Sequence, residues 1–336
     1  MYPMTDGGSQ CRSVRTSPSV HHVNSAQAAA VALLLIVAAV AGCGVERPAP
    51  TVAPPFPRQA IIAELQEFQQ ELGVERTGNF RRFSDAQDAV YRCYFTGRVE
   101  LPASYEALEM IETDDPSCPV DENVYDVFFY PIEAVASGSS PVSPALAEAL
   151  LERALVVVAH EDFHNQREAR QASFDIAEAA ATLAGFLIAR DFTRIKYGEE
   201  SETFQRLDRE AELFLIKARI VNTYYQRLDG VYDAHAAGAL TLDEALDRKA
   251  AFYAELESEC GASEPAVSFN NCPAAMNNAG LAFDRTYTRH YATWFELHES
   301  LGRDTRTTIA ALRRLLADGP QTEADLLDAG KAFLRR

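Results

Sequence analysis

The sequence predicts a single domain that is mostly α-helical with a small β element. Apolar residues recur at three- and four-residue spacing through most of the chain after residue 58, which is typical of helices with one buried face. Two short stretches, residues 89–99 and 125–130, instead combine aromatic and β-branched residues as strands do. A chain of 336 residues is long enough to bury the core of one large domain.

Helix boundaries follow from this spacing and from capping residues. Ser143 and Pro144 suit the N-cap and the first position of a central helix. Thr241 and Glu244 have the spacing of a capping box at the start of another helix. The predicted helices cover residues 58–72, 143–167, 173–190, 202–233, 241–260, 274–300, 305–317 and 323–335.

The N-terminal part carries the pattern of an export signal followed by a tether. Residues 28–42 are uncharged and rich in Ala, Val and Leu, and they are shorter than the roughly 20 residues that span a membrane. This length suits the apolar core of a secretory signal peptide. Residues 48–57 contain five prolines, which predicts an extended linker. The expected organisation is a signal peptide at 1–42, a Pro-rich tether at 43–57 and the folded domain at 58–336.

The apolar run ends in Val40-Ala41-Gly42-Cys43, which resembles a bacterial lipobox. The resemblance implies cleavage before Cys43, acylation of its thiol and anchoring in the cell envelope. Gly44 follows the cysteine, and by analogy with bacterial lipoproteins a residue other than Asp there favours the outer membrane, facing the periplasm. An ordinary signal peptide with an incidental Cys43 is the alternative.

Four cysteines remain in the predicted mature domain, an even number that suits disulfides in an oxidising compartment. Three pairings are possible. The pairs Cys93–Cys118 and Cys260–Cys272 close the shortest loops and are therefore favoured. None of these cysteines has the close spacing of a zinc site.

The strongest functional signal is the sequence His-Glu-x-x-His at residues 160–164, near the end of the predicted central helix. Residues four apart share one face of a helix, so that His160 and His164 can bind one metal ion. Glu161 lies next to them, where it can act as a general base on a water molecule at the metal. This is the arrangement of zincin-like metallopeptidases, and it predicts one Zn²⁺ ion as cofactor.

A zincin needs a third protein ligand and leaves the fourth position to water. A histidine six residues after His164 is absent, because that position is Arg170. A carboxylate on the following helix is the other choice, and an antiparallel return would bring Glu178 beside the histidines. Asp175 is an alternative ligand, whereas Glu168 is too close in sequence to fold back.

These motifs resemble those of the predicted zinc-dependent aminopeptidases of Gram-negative bacteria, a family of gluzincin-like lipoproteins. In that family a motif of the type H-E-L-A-H-Q precedes a motif of the type F-N-E-x-x-A-T. The corresponding segments here are residues 160–166, HEDFHNQ, and residues 174–182, FDIAEAAAT. The match implies that Glu178 is the third metal ligand. Asp162 departs from the family, in which an apolar residue is usual.

A third segment, residues 276–287, MNNAGLAFDRTY, resembles the family's L-N-N-A-R-L-A-x-x-x-T-Y. Tyr287 becomes a candidate donor to the oxyanion that forms when a carbonyl is attacked, or a residue that orients the substrate. An aromatic side chain packed in the core is the alternative. Asn277 and Asn278 are candidates for binding the substrate backbone, with helix capping as the alternative.

Together these patterns predict a membrane-anchored zinc metallopeptidase that hydrolyses peptide bonds, and the resemblance implies an aminopeptidase. Its partners would be a peptide substrate and, through the lipid, the membrane. The net charge of −18 argues against a nucleic-acid partner, because phosphate contacts need clustered Lys and Arg. The alternative is a non-catalytic envelope lipoprotein that keeps the zincin fold and acts as an interaction module. Two departures from the family motivate it: Asp162, and the lack of a recognisable aromatic strand with Ser-Thr-Leu-Gly near residues 130–140.

Overall fold

Helices form most of the chain in a computed structural model, which describes residues 57–84, 91–115, 117–132, 134, 138–264 and 272–335. These residues all belong to one unit, Pro54–Arg336. The predicted class, mostly α with a small β element, is confirmed. The helices are α1 (Gln59–Glu71), α2 (Pro144–Glu148), α3 (Leu151–His164), α4 (Phe174–Tyr197), α5 (Glu202–Asp208), α6 (Glu210–Ala236), α7 (Leu242–Ala262), α8 (Asn278–Thr288), α9 (Tyr291–Ser300), α10 (Thr305–Ala317) and α11 (Glu323–Leu334).

The β element is a three-stranded antiparallel sheet. Its strands are β1 (Tyr91–Gly97), β2 (Glu109–Thr113) and β3 (Tyr125–Pro131), and β1 lies in the middle of the order β2-β1-β3. β1 and β3 coincide with the two predicted strands. β2 falls outside them, because its side chains are largely exposed and give no apolar alternation for a sequence pattern to report.

The central helix differs from the prediction, since it is interrupted and ends early. Ser143 does cap the first segment, α2, by accepting a hydrogen bond from a backbone N–H of its first turn at 3.0 Å. The backbone then becomes extended at Ala149 and Leu150, and α3 ends at His164. The Arg58 guanidinium donates to the carbonyl oxygens of both residues at the break. At Ala149 it replaces the backbone donor that a continuous helix would supply, whereas Leu150 still accepts from the Ala154 N–H.

Two other predicted helices are each divided in two. The predicted helix 202–233 bends at Arg209, because α5 packs on α4 whereas α6 packs on α7 and α8. The predicted helix 274–300 begins later and is interrupted at Arg289 and His290, so that α8 packs on the sheet and α9 packs on α4. Sequence periodicity does not reveal such bends, since both halves keep an apolar face.

The main core surrounds α4, which is buried on all sides over residues 176–189. A helix whose residues are apolar or small on every face belongs in the interior. α1, α3, α9 and α10 pack around it and contribute large buried side chains such as Leu65, Leu155, Trp294 and Leu312. A smaller, mainly aromatic cluster joins the sheet to α8. No helix within the described ranges combines the length and the apolar character needed to cross a bilayer.

Candidate metal centre

His160 and His164 lie at the C-terminal end of α3 and share one face of it. Their Nε2 atoms are 3.1 Å apart and their ring centroids 4.6 Å apart. His160 is 5% exposed, and His164 is half-buried. Residues 154–159, which precede the pair, are all buried in the core and fix this end of the helix. The i, i+4 arrangement predicted for the two imidazoles is therefore present.

Glu178 joins the two histidines from the second turn of α4. Its Oε2 atom is 3.2 Å from His160 Nε2 and 2.9 Å from His164 Nε2. One ligand atom from each of the three residues lies within 4.8 Å of the others. The structure thus brings together the three residues that the sequence predicts as metal ligands.

Gly185 allows α3 and α4 to approach closely beside this group. A methyl group on Gly185 would lie 2.9 Å from the Val156 carbonyl oxygen and 3.3 Å from His160 Cβ. Both distances are shorter than ordinary van der Waals contacts, so a larger residue would force the helices apart. Gly185 therefore contributes to the helix spacing that places Glu178 within reach of the histidines.

The donor geometry fits a zinc ion. Zinc binds imidazole nitrogen and carboxylate oxygen at roughly 2.0–2.2 Å, and in a tetrahedral site neighbouring donors then lie about 3.3 Å apart. The three separations observed, 2.9, 3.1 and 3.2 Å, are close to that value. Two histidines and one glutamate are also a donor set of catalytic zinc sites, which keep a fourth position for water or substrate.

The electrostatics of the centre favour a neutral His160 and an ionised Glu178. Burial lowers the pKa of His160. Burial alone would raise the pKa of Glu178, but the charge of His164 and hydrogen bonds from both histidines hold it well below its ordinary value. Burial would also lower the pKa of His164, yet the charge of Glu178 raises it. A metal ion binds neutral imidazole and ionised carboxylate, so its binding would compete with protons at these three residues.

Glu161 has the properties of a general base near neutral pH. Burial raises the pKa of its carboxyl group to about 7, which suits proton transfer under physiological conditions. Glu161 directly follows His160 on α3, and the charges of His164 and Glu178 also act on its pKa. Its Oε2 is buried and receives no hydrogen bond from the part of the chain that the structure describes.

Two tyrosines flank the centre, and only one of them is predicted by the sequence. The ring of Tyr287, on α8, lies 6.2 Å from the His160 imidazole, centroid to centroid. The unpredicted residue is Tyr105, whose hydroxyl donates a hydrogen bond to Glu178 Oε1 at 3.3 Å. Burial and the charge of Glu178 raise the pKa of both tyrosines, so their hydroxyls stay protonated.

Asp162, which departs from the family motif, binds the N-terminal part of the domain. It is 1% exposed. Its carboxylate accepts hydrogen bonds from Gln66 at 2.9 Å, from Asn79 at 3.2 Å and from the Thr77 hydroxyl. These donors belong to α1 and the loop that follows it, so Asp162 fastens α3 to that segment. These three hydrogen bonds explain why an aspartate stands at this position, so Asp162 is no argument against a metal centre at His160, His164 and Glu178.

The other carboxylates considered as ligands bond elsewhere. Asp175 Oδ2 accepts from Arg289 at 2.9 Å and from His290 at 3.1 Å. Burial would raise the pKa of Asp175, but hydrogen bonds, the one from His290 foremost, hold it below its ordinary value. Glu168 pairs with Arg313 at 2.9 Å. Of the three carboxylates compared from the sequence, Glu178 is the one that meets the histidines.

Asn277 and Asn278 are both engaged within the protein, and of the two Asn277 acts as a helix cap, as the alternative anticipates. Asn277 caps α8 through a hydrogen bond from its first turn at 3.0 Å, and it donates to the Val127 carbonyl at 2.8 Å. Asn278 is fully buried, and its side-chain oxygen accepts from the Tyr232 and Tyr253 hydroxyls at 2.9 and 3.0 Å. Its amide donates to two backbone carbonyls after β1. These bonds correct the expectation that Asn278 binds substrate, because its side chain has no remaining capacity.

The cysteines of the domain meet in the pairs that close the shortest loops. The Cα atoms are 5.4 Å apart in Cys93–Cys118 and 5.7 Å apart in Cys260–Cys272, within the usual range for disulfides. The first pair ties β1 to the loop before β3. Cys43 lies outside the described residues, together with the predicted signal peptide and nearly all of the predicted tether.

Comparison of the chain with models of protein families, with curated proteins and with solved structures finds no match. The family resemblance of the short motifs therefore stays a prediction. A functional interpretation has to rest on the geometry and electrostatics of the centre.

Proposed function

We propose that this chain is a zinc-dependent peptidase of zincin-like fold, with Glu161 as its general base. The observation that supports this most is the convergence of two histidine Nε2 atoms and one Glu178 oxygen, separated by 2.9, 3.1 and 3.2 Å. Glu161, which directly follows His160 on α3, has a carboxyl group with a pKa of about 7. Hydrolysis by metal-activated water needs this combination of ligands and base.

Each residue of the centre has a defined task in this proposal. His160, His164 and Glu178 hold the ion, which when bound supplies a Lewis acid that polarises a carbonyl and makes water more acidic. Glu161 accepts a proton from the attacking water at Oε2, to which no described residue donates a hydrogen bond. It then passes this proton to the departing amine. Tyr287, protonated and next to His160, is the proposed donor to the developing oxyanion.

The proposed substrate is a peptide, and the proposed location is the cell envelope. The preference for a free N-terminus, which would make the protein an aminopeptidase, rests on the motif resemblance alone. A lipid on Cys43 would hold the domain at the outer membrane, on the periplasmic side. Replacement of Cys43 by Ala should abolish incorporation of a labelled fatty acid; retained label would rule out this anchor.

Zinc content tests the ligand set. After dialysis the wild-type protein should retain about one zinc ion per chain, and His160→Ala and Glu178→Ala, which each keep two of the three ligands and bind zinc only weakly, should retain much less. Asp175→Ala is the matched control, because this nearby carboxylate bonds to Arg289 and His290 instead. Full zinc retention by both ligand variants would show that the metal centre is wrongly assigned.

Turnover tests the role of Glu161. Glu161→Gln keeps the shape of the side chain, so zinc binding should persist while peptide hydrolysis falls by roughly 10²–10⁴-fold. A panel of aminoacyl and internally quenched peptides would also separate exopeptidase from endopeptidase activity. A zinc-loaded wild-type protein that cleaves none of them would favour the non-catalytic envelope module.

A further inference from the structure

The two carboxylate oxygens of Glu178 have different partners. Oε2 faces both histidines, at 3.2 Å from His160 and 2.9 Å from His164. Oε1 accepts a hydrogen bond from the Tyr105 hydroxyl at 3.3 Å. A glutamate side chain can rotate and can bind a metal through one oxygen or through both, so the partner of the second oxygen influences how the first is presented.

Tyr105 is itself held in place by two helices and cannot easily turn away. Its ring meets Phe174, the first residue of α4, edge to face at 5.0 Å and stacks on Phe283 of α8 at 5.4 Å. Its backbone N–H donates to Thr286 Oγ1 at 2.9 Å. The 3-10 turn Tyr105–Ala107 is thereby fastened to α8, and its first residue reaches the carboxylate on α4.

We propose that Tyr105 is a positioning residue of the metal centre: its hydroxyl holds Glu178 so that one carboxylate oxygen is directed at the ion. The inference rests on the proposed metal site. With Oε1 engaged by Tyr105, Glu178 would offer Oε2 to the ion. Partners of this kind commonly change metal affinity by roughly 10- to 100-fold.

The competing explanation is that Tyr105 merely fills space in the aromatic cluster beneath the sheet. Tyr105→Phe separates the two, because it removes the hydroxyl and keeps the ring. Tyr94→Phe is the matched control: the Tyr94 ring lies 5.7 Å from that of Tyr105 and is 3% exposed. Within the described part of the chain, the Tyr94 hydroxyl forms no hydrogen bond with Glu178 or either histidine.

The experiment measures the dissociation constant for Zn²⁺ by competition with a chromophoric chelator, together with the visible absorption of the Co²⁺ form. Tyr105→Phe should weaken zinc binding by roughly tenfold or more and change the cobalt spectrum. Tyr94→Phe should change neither. In a Glu178→Ala background, where the carboxylate is absent, Tyr105→Phe should have less than about a twofold effect, since residues that act through each other are not additive.

The outcomes distinguish the positioning role of Tyr105 from the proposed zinc site on which it rests. If the wild-type protein binds zinc and Tyr105→Phe binds it equally well, the positioning role is wrong and the metal centre stands. Equal losses in Tyr105→Phe and Tyr94→Phe, or an undiminished loss in the Glu178→Ala background, would assign Tyr105 to packing. A wild-type protein that binds no zinc would overturn both the metal centre and the role of Tyr105.

Discussion

Replacing Gly185 with alanine should push α3 away from α4 and weaken both folding and metal binding. The new methyl group would meet the Val156 carbonyl oxygen at 2.9 Å and His160 Cβ at 3.3 Å. Both atoms belong to α3, and one belongs to a proposed ligand. Gly230, exposed in α6, provides a matched control because a methyl group there meets no described residue within 4 Å.

The control isolates the cost of the close contact. Both substitutions gain the helix propensity of alanine over glycine, about 0.8–1 kcal/mol, so Gly230→Ala should raise the free energy of unfolding by up to that amount. At Gly185 the same gain is opposed by overpacking, which costs about 1–3 kcal/mol in a well-packed core. We therefore expect Gly185→Ala to be about 1–3 kcal/mol less stable than Gly230→Ala.

Urea unfolding followed by circular dichroism measures this difference, provided that both variants unfold with the same slope. Zinc affinity is the second readout, and it should fall for Gly185→Ala while Gly230→Ala matches the wild type. If Gly185→Ala proves as stable as Gly230→Ala, α3 and α4 do not approach closely at this point. The placement of Glu178 beside the histidines would then lose its structural basis.

Three further predictions concern the buried polar groups. Asp162→Ala should lower the free energy of unfolding by about 1–3 kcal/mol, because three donors lose their acceptor; an unchanged thermal midpoint would contradict this role. Lys217→Met should cost about 3–5 kcal/mol in urea unfolding, since it leaves Asp284, 3.0 Å away, buried without its counter-charge. Adding Asp284→Asn should recover part of that loss, and no recovery would mean that the pair is not the cause. Burial, together with nearby arginines, lowers the pKa of His298 to about 4, whereas an unfolded chain has a value of about 6.5. Protonation therefore favours unfolding, so stability present above pH 6.5 should decline by up to about 3 kcal/mol as the pH falls to 4, and by less where solvent screens the charge. His298→Gln should remove this component of the pH dependence, and an identical pH profile would refute it.

Features that depend on neighbouring residues can be predicted from the sequence. Thr241 and Glu244 form the capping box that starts α7, and His160 and His164 meet because helix geometry alone brings residues four apart together. The interruptions of the helices cannot be predicted in this way. The break between α2 and α3, for example, has its hydrogen-bond donor in Arg58, about ninety residues away in sequence.

The residues of the candidate metal centre also divide into those that local sequence predicts and those that depend on distant contacts. Glu178 is predictable because α4 returns along α3 after a short connection. Tyr105 gives no signal, since 73 residues separate it from Glu178 and its turn has no periodicity to recognise. Asp162 looks anomalous in the sequence because its donors lie 83–96 residues away, and only the fold shows that they converge on it.

Hydrogen-bond partners, rather than position in the motif, decide which carboxylates can serve the centre. Asp162 has three donors, Asp175 has an arginine and a histidine, and Glu168 has an arginine. To accept a metal or a proton, each would first have to give up such bonds, at a cost of about 1–3 kcal/mol for each partner left buried and unpaired. Glu178 already faces the two histidines. Glu161 has an oxygen, Oε2, to which no described residue donates a hydrogen bond. In the proposed mechanism these bonds favour Glu178 as the ligand and Glu161 as the base, independently of any resemblance between motifs.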